Sequence, residues 1–130
     1  MIKVTINGAS GKMGTKVSNL IENDSSLVEC FDDISCSDLV IDFSQPSSTK
    51  KILKKCVAAK KPIIIGTTGF TNDDLNEIRE AANLIPIVLA ANMSRGMIYL
   101  KKSLASFIHH NQDKLRCFIE ETHHLEKVDK

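Results

Sequence analysis

The most constraining feature of the sequence is three glycines spaced G-x-x-G-x-x-G, between residues 8 and 14. A β-rich run, residues 2–6, precedes them, and apolar residues at helical spacing follow. Gly8 permits a sharp exit from a strand, Gly11 lets main chain approach a pyrophosphate, and Gly14 allows close packing of helix on strand. This arrangement predicts a Rossmann-type dinucleotide site, and the alternative is a turn that needs glycine for conformation alone.

The start of the following helix supplies the predicted phosphate site. Free N–H groups and the positive dipole end bind anions there, and Lys12 would add a positive charge. A Walker loop is excluded because G-K-[ST] is absent. The residues predicted to hold the cofactor phosphates are Gly8, Ala9, Ser10, Gly11, Lys12 and Met13.

Alternating strand and helix patterns continue along the chain and predict an α/β fold of the Rossmann type, with a doubly wound parallel sheet. Four helices are expected between and after the strands. Apolar residues at helical spacing predict the inward sides of the first and third helices: Met13, Val17, Leu20 and Ile21 in the first, and Leu75, Ile78 and Ala82 in the third. Thr71 and Asp74 have the capping-box spacing, and Ser94 is a plausible N-cap of a long helix whose apolar side is expected to pack on the sheet. The predicted strands are residues 2–6, 27–31, 38–43, 62–66, 85–90 and 114–122.

Composition narrows the class of partner. The 130 residues are 42% apolar and 25% charged, with a net charge of +1, which gives no one-signed field for nucleic acid or an anionic membrane. A small-molecule partner and a cytoplasmic location are expected, because no signal peptide or membrane span is recognisable. Without a C-x-x-C pair, the four cysteines predict neither a metal site nor a disulfide framework but reduced thiols: Cys30, Cys36, Cys56 and Cys117.

An acidic side chain at the end of the second strand would bind the ribose hydroxyls of a dinucleotide. Asp32 and Asp33 stand at that position, and Asp32 is the predicted ribose ligand. A carboxylate there would repel a 2′-phosphate and so favours NAD(H) over NADP(H). The alternative is that these aspartates cap the short helical turn that follows.

Five stretches together resemble the 4-hydroxy-tetrahydrodipicolinate reductase family, also called dihydrodipicolinate reductases, of lysine biosynthesis through diaminopimelate. The glycine loop is the first, and residues 121–129, E-T-H-H-L-E-K-V-D, are similar to the family's catalytic signature E-x-H-H-x-x-K-x-D. The remaining three are residues 40–44, residues 65–70, and residues 90–94 with Gly96.

The resemblance implies NADH- or NADPH-dependent reduction of a small cyclic dicarboxylate, usually by a homotetramer of two-domain subunits. It assigns His123 as acid or base, Lys127 as proton donor and His124 to substrate binding. It also implies a nicotinamide pocket lined by Gly66, Thr67, Thr68, Ala90, Ala91, Asn92 and Met93.

The sequence departs from the family pattern after Asp129, where A-P-S-G-T would follow and Lys130 stands instead. Residues 1–112 are therefore predicted to form the dinucleotide-binding domain, and residues 113–130 the beginning of a truncated substrate and oligomerisation domain of the α+β class. Met97-Ile98 and a short loop between the second and third strands also differ from the family. Two alternatives stay open: a truncated dinucleotide-binding fragment without catalysis, and a different Rossmann dehydrogenase.

Overall fold

A computed structural model describes residues 1–31, 33–118, 120 and 122. Those residues contain five parallel strands, four α-helices and a one-turn 3-10 helix, Ile34–Cys36. The strands are β1 (Ile2–Asn7), β2 (Leu27–Glu29), β3 (Leu39–Asp42), β4 (Ile63–Ile65) and β5 (Ile87–Leu89). The helices are α1 (Lys12–Glu22), α2 (Pro46–Ala59), α3 (Asn72–Ala81) and α4 (Arg95–Asn111).

The sheet has the order β2-β1-β3-β4-β5 and is parallel throughout, which confirms the predicted α/β class. Successive residues of a strand point to opposite faces, so Val40 and Ile41 mark two cores. Val40 belongs to the cluster that α2 and α3 cover, whereas Ile41 packs against the cluster that includes Ile21 of α1. Helices therefore cover both faces, as a doubly wound sheet requires.

Local signals explain where the helices begin. The Thr71 hydroxyl accepts a hydrogen bond from the Asp74 N–H at 3.2 Å, and Asp74 accepts from the Thr71 N–H at 2.9 Å, which confirms the predicted capping box. Ser94 caps α4 by accepting from the Met97 N–H at 3.4 Å. Pro46 in the first turn of α2 needs no hydrogen-bond acceptor for its nitrogen.

Three predictions about individual elements are wrong: two about which helix residues are buried, and one about a strand at residues 114–122. The apolar side of α1 was expected to include Leu20, which is 70% exposed, because burial of this helix centres on Ile21. In α3 the inward residue is Ala81 rather than Ala82, which lies just past the helix end. Residues 114–118, 120 and 122 lie in no strand, since none of the five strands pairs with them.

The chain divides into two compact units, Met1–Ala91 and Asn92–Lys130. The sheet belongs to the first unit, and α4 belongs to the second. The apolar side of α4 was expected to be covered, but α4 carries no buried residue. The predicted boundary after residue 112 lies inside the second unit and stays a prediction.

The prediction of four reduced thiols is wrong, because a disulfide joins Cys30 to Cys36. The two cysteines are six residues apart, a spacing that does not by itself predict a disulfide. The short 3-10 helix between them turns the chain so that Cys36 returns to Cys30. Cys56 is a free buried thiol and Cys117 a free exposed one. No helix in the described part of the chain is long and apolar enough to span a membrane.

Candidate functional site

The candidate site lies at the carboxyl edge of the sheet, where β1 and β3 are neighbours. The chain leaves β1 through α1 toward β2, and it leaves β3 through α2 toward β4, so the two connections diverge from this point. Open α/β sheets bind ligands in the crevice that such a divergence opens. The glycine loop follows β1 directly and therefore lies beside this crevice.

Backbone pairing continues one residue past the strands and brings successive loops together. The Phe43 N–H donates to the Asn7 carbonyl at 3.0 Å, and the Gly66 N–H donates to the Asp42 carbonyl at 2.8 Å. The Ala90 N–H likewise donates to the Ile65 carbonyl at 3.0 Å. Four loops consequently begin at the same edge of the sheet.

Each glycine of the loop has a separate steric role. Gly8 has φ +89°, and a Cβ there would lie 2.5 Å from the Phe43 carbonyl oxygen. A Cβ on Gly14 would overlap the Gly8 carbonyl oxygen and lie 2.7 Å from the Ala9 Cα. These contacts confirm the roles predicted for the first and third glycines, which fix the turn and the approach of α1 to β1.

The middle glycine is less confined by the protein than Gly8 and Gly14 are. Gly11 has ordinary extended backbone, with φ −79° and ψ 166°, and is the N-cap of α1. A Cβ there would meet only the Gly8 carbonyl oxygen at 3.3 Å and the Phe43 carbonyl oxygen at 3.9 Å. Residues Ser10 to Met13 are exposed, so main chain and the first turn of α1 face solvent. The Gly11 N–H donates to the Gly8 carbonyl at 3.0 Å, so an anion would bind at the exposed first turn of α1 and its helix dipole.

Behind the loop lies a buried carboxylate that the sequence-based site prediction missed. Asp42, at the end of β3, is fully buried. One of its oxygens accepts from the Asn7 amide at 2.7 Å and the Ser44 hydroxyl at 2.5 Å, and the other from the Thr49 and Thr67 hydroxyls at 2.5 and 2.9 Å. This cluster, Asn7, Asp42, Ser44, Thr49 and Thr67, is called the Asp42 network below. It joins the ends of β1 and β3, the start of α2 and the loop after β4.

Two residues of the predicted nicotinamide pocket, Thr67 and Gly66, already have close contacts within the protein. The Thr67 hydroxyl donates to Asp42 and accepts from the Ser44 N–H at 3.0 Å, so it is already engaged within the protein. Phe43 packs its ring against Gly66, where a Cβ would overlap the ring. The sequence signal for this arrangement was a polar residue at the end of each of two apolar strands, Asn7 of β1 and Asp42 of β3.

Burial, together with the negative charge of Asp42, raises the pKa of the Cys56 thiol to about 11. Cys56 therefore behaves as a small apolar side chain in the core under α2.

On the same face of the sheet, Lys50 of α2 forms an ion pair with Asp74 of α3 and lies 3.7 Å from Glu77. The ion pair with Lys50 and the hydrogen bond from the Thr71 N–H lower the pKa of Asp74. An open groove runs beside this pair between the two helices, with Leu53, Val57, Ala81 and Leu84 along it. It lies on the flank of the helices, apart from the glycine loop.

Comparison with known proteins identifies the family to which this chain belongs. The model described as "Dihydrodipicolinate reductase, N-terminus" matches residues 24–93, slightly more than half of the chain. This chain belongs to the dihydrodipicolinate reductase family. The match confirms the resemblance inferred from the motifs, although the glycine loop precedes the matched region.

Curated proteins of the dihydrodipicolinate reductase family match nearly the whole chain. The 4-hydroxy-tetrahydrodipicolinate reductase of Alkaliphilus oremlandii is 37% identical over 95% of this chain, and that of Clostridium perfringens strain SM101 is 35% identical over 99%. The corresponding protein of Campylobacter jejuni strain 81-176 is 36% identical over 99%. The chain spans 55%, 59% and 57% of the lengths of these relatives.

A solved structure supports the fold. Dipicolinate-bound dihydrodipicolinate reductase from Paenisporosarcina sp. TG-14 superimposes with a TM-score of 0.65 at 22% identity, over 83% of this chain and 53% of that one. The shared architecture is an α/β fold of the Rossmann type, in agreement with the prediction from the sequence.

Four predicted site residues lie outside the described residues: Asp32, predicted from the Rossmann pattern, and His123, His124 and Lys127, predicted from the family resemblance. The neighbouring Asp33 is described and is the N-cap residue of the 3-10 helix, where its carboxylate accepts from the Ser35 hydroxyl at 3.0 Å. The Asp33 side chain makes no capping hydrogen bond to the main chain of this helix, so the contact does not bear out the capping alternative at Asp33. The ribose role of Asp32 stays a prediction.

The second predicted nicotinamide segment, residues 90–93, crosses the division between the two units. Asn92 accepts from the Ser94 N–H at 2.8 Å, which helps to begin α4. Ala91, Asn92 and Met93 are exposed. Among the described residues, no group of three or more His, Cys, Asp or Glu side chains could hold a metal ion.

Proposed function

We propose that this chain carries the dinucleotide-binding half of an NAD(P)H-dependent 4-hydroxy-tetrahydrodipicolinate reductase. The observation that carries this proposal is the exposed main chain at Gly11, next to the β1/β3 divergence, in a member of the dihydrodipicolinate reductase family. Reduction of 4-hydroxy-tetrahydrodipicolinate to tetrahydrodipicolinate, in lysine biosynthesis, is the reaction proposed for the whole enzyme.

The described residues suit a dinucleotide in steric terms. A Cβ at Gly11 would have one tight contact, 3.3 Å from the Gly8 carbonyl oxygen, whereas a Cβ at Gly8 or Gly14 would clash with main chain. The pyrophosphate would lie against the first turn of α1, where N–H groups and the helix dipole favour negative charge. NADH or NADPH, when bound, would supply the hydride.

The Asp42 network would position the loops on the nicotinamide side. It fixes Ser44 and Thr67, which flank Phe43 and Gly66. We propose that main chain and Thr68, rather than the Thr67 hydroxyl, contact the nicotinamide ribose or ring, because that hydroxyl already has two partners. The nicotinamide contacts that the family resemblance implies for Ala90, Ala91, Asn92 and Met93 remain part of this proposal.

The proposed chemistry of proton transfer belongs to residues 121–129. Hydride addition to a conjugated imine leaves negative charge that a proton must neutralise, and histidine or lysine near the substrate can supply it. His123 is proposed as acid or base and Lys127 as proton donor, with His124 binding a substrate carboxylate. Adjacent residues on an extended chain point to opposite sides, so His123 and His124 would have different partners.

Cofactor preference follows from the end of β2. We propose that Asp32 bonds the adenosine ribose and that NADH binds more tightly than NADPH, because a carboxylate repels the 2′-phosphate. A net charge of +1 supports a small-molecule substrate over nucleic acid or membrane. A cytoplasmic homotetramer is proposed for the whole enzyme on the basis of the family resemblance.

The test combines binding and turnover. The chain should quench or enhance NADH fluorescence with a saturable profile, and His123→Ala in the whole enzyme should lower kcat at least about a hundredfold, as loss of a general acid or base does. His109→Ala is the matched control, because His109 lies in the last turn of α4 and has no proposed role. Equal turnover by His123→Ala and its parent would contradict the catalytic assignment.

A second candidate is a dinucleotide-binding module without turnover. It is favoured by the phosphate site, whose residues all belong to the first unit, Met1–Ala91. Saturable NADH binding without reduction of substrate in the whole native protein would support this candidate over the reductase.

A further inference from the structure

The loop that follows β2 has a covalent closure at the position where the adenosine half of a dinucleotide would lie. Cys30 comes directly after β2 and Cys36 ends the 3-10 helix, and a disulfide joins the two. Residues 31–35 lie between them and include the predicted ribose ligand Asp32. A ligand loop closed by a disulfide is a second feature of this site, independent of the glycines.

Both ends of this loop are held on β1 by hydrogen bonds that do not involve sulfur. The Cys30 N–H donates to the Val4 carbonyl at 2.8 Å, and the Asp38 N–H donates to the Lys3 carbonyl at 2.7 Å. The Asp38 carboxylate also accepts from the Lys3 N–H at 2.9 Å. Opening the disulfide would therefore leave the attachment of β2 and β3 to β1 in place.

The residues inside the loop differ in how many contacts they make with the rest of the protein. Ile34 is buried in the core, which fixes the middle of the 3-10 helix. Phe31 is 82% exposed, and Asp33 is exposed with a hydrogen bond from Ser35. Phe31 and Asp33 consequently depend on the disulfide for restraint more than Ile34 does.

We propose that the Cys30–Cys36 disulfide is a redox-sensitive brace of the adenosine side of the dinucleotide site, so that its reduction weakens cofactor binding without unfolding the domain. This inference rests on the proposed function. The physical basis is preorganisation: a loop restrained in its binding conformation loses less entropy when the ligand binds. Both cysteines are partly exposed, so a dithiol can reach the pair.

The redox step is a thiol–disulfide exchange with a dithiol reductant. A thiolate of the reductant attacks one sulfur of the pair, and the released cysteine takes up a proton. The second reductant thiol then displaces the other cysteine from the mixed disulfide. Two electrons and two protons pass to Cys30 and Cys36, and the reductant leaves as a cyclic disulfide.

The experiment compares binding of NADH and of ADP-ribose to the oxidised chain and to the chain reduced with dithiothreitol, by calorimetry. Reduction is expected to raise Kd for both ligands about three- to tenfold, since ADP-ribose retains the adenosine and the pyrophosphate. The double variant Cys30→Ser/Cys36→Ser should bind like the reduced chain and should not respond to dithiothreitol. Cys117→Ser is the matched control and should keep the full response, because Cys117 is a free thiol outside this loop.

The outcomes separate this inference from the proposed function. Equal Kd values in the oxidised and reduced states, with NADH bound in both, would overturn the brace and leave the proposed function standing. Absence of NADH binding in both states would contradict the proposed function and the brace together. Circular dichroism must show a folded reduced chain, and loss of the fold on reduction would also overturn the proposal.

Discussion

The glycine loop and the Asp42 network lie at the same edge of the sheet but differ in how their polar groups are used. Gly11 is exposed to solvent. Asp42, by contrast, is fully buried and accepts four hydrogen bonds. The first region is open to a ligand, and the second holds the loops in position. Binding and stability should therefore respond to different substitutions, even though the two regions are neighbours.

The largest expected effect on stability tests the close packing of α1 against the glycine loop. Gly14→Ala should lower the free energy of unfolding by about 3 kcal/mol, because its Cβ would overlap main chain that cannot move aside easily. Chemical denaturation would measure the change. Gly96→Ala is the matched control and should be neutral or slightly stabilising, since the nearest atom to its Cβ is the Ser94 hydroxyl at 3.8 Å. A Gly14→Ala chain as stable as the parent would show that helix and strand are not in close contact.

The next effect tests whether the Asp42 network is structural. Asp42→Asn should cost about 2 kcal/mol, because its amide nitrogen would face hydrogen-bond donors on either side. Asp113→Asn, at an exposed position, should change the unfolding free energy little. The comparison between the two regions fails if Asp42→Asn leaves stability unchanged but abolishes NADH binding.

The smallest effect concerns the Lys50–Asp74 ion pair, which ties α2 to α3 away from both regions. The pKa of Asp74 is lowered from 3.8 in the folded chain, so its stabilising contribution is present above that pH and is lost as pH falls through the lowered pKa. Lys50→Gln should destabilise the chain slightly at neutral pH, and the difference from the parent should shrink under acid conditions. Thermal unfolding from pH 7 to pH 2.5 measures it. A difference that grows as pH falls would contradict the assignment.

Local patterns were enough to predict the architecture. The three glycine positions, the alternation of strand and helix and the Thr71 capping box each depend on residues close together in sequence. Errors of one position, such as Ala82 for Ala81, arise because neighbouring residues of a helix end differ in burial only through tertiary packing. The resemblance of five motifs supplied the family, and the match over residues 24–93 confirmed it.

The parts that could not be predicted depend on distant segments meeting in space. The role of Asp42 requires the ends of β1 and β3 and the loop after β4 to lie side by side, which no single stretch of sequence encodes. The Cys30–Cys36 disulfide requires the loop after β2 to turn back on itself, and the spacing of the cysteines alone gave no indication of that.

The central claim is that the pyrophosphate of a dinucleotide rests against main chain at the start of α1. Gly11→Ala tests it most directly, because the added methyl group would have contacts at 3.3 and 3.9 Å within the protein but would enter the space assigned to the ligand. NADH titration and thermal unfolding should be measured on the same samples, with Gly96→Ala as control. We expect the unfolding midpoint to fall much less than in Gly14→Ala, because alanine is only a poorer N-cap than glycine and its Cβ would have one tight contact. The Kd for NADH should rise at least about tenfold, equivalent to ~1.4 kcal/mol. A folded Gly11→Ala chain that binds NADH as tightly as the parent would contradict the claim.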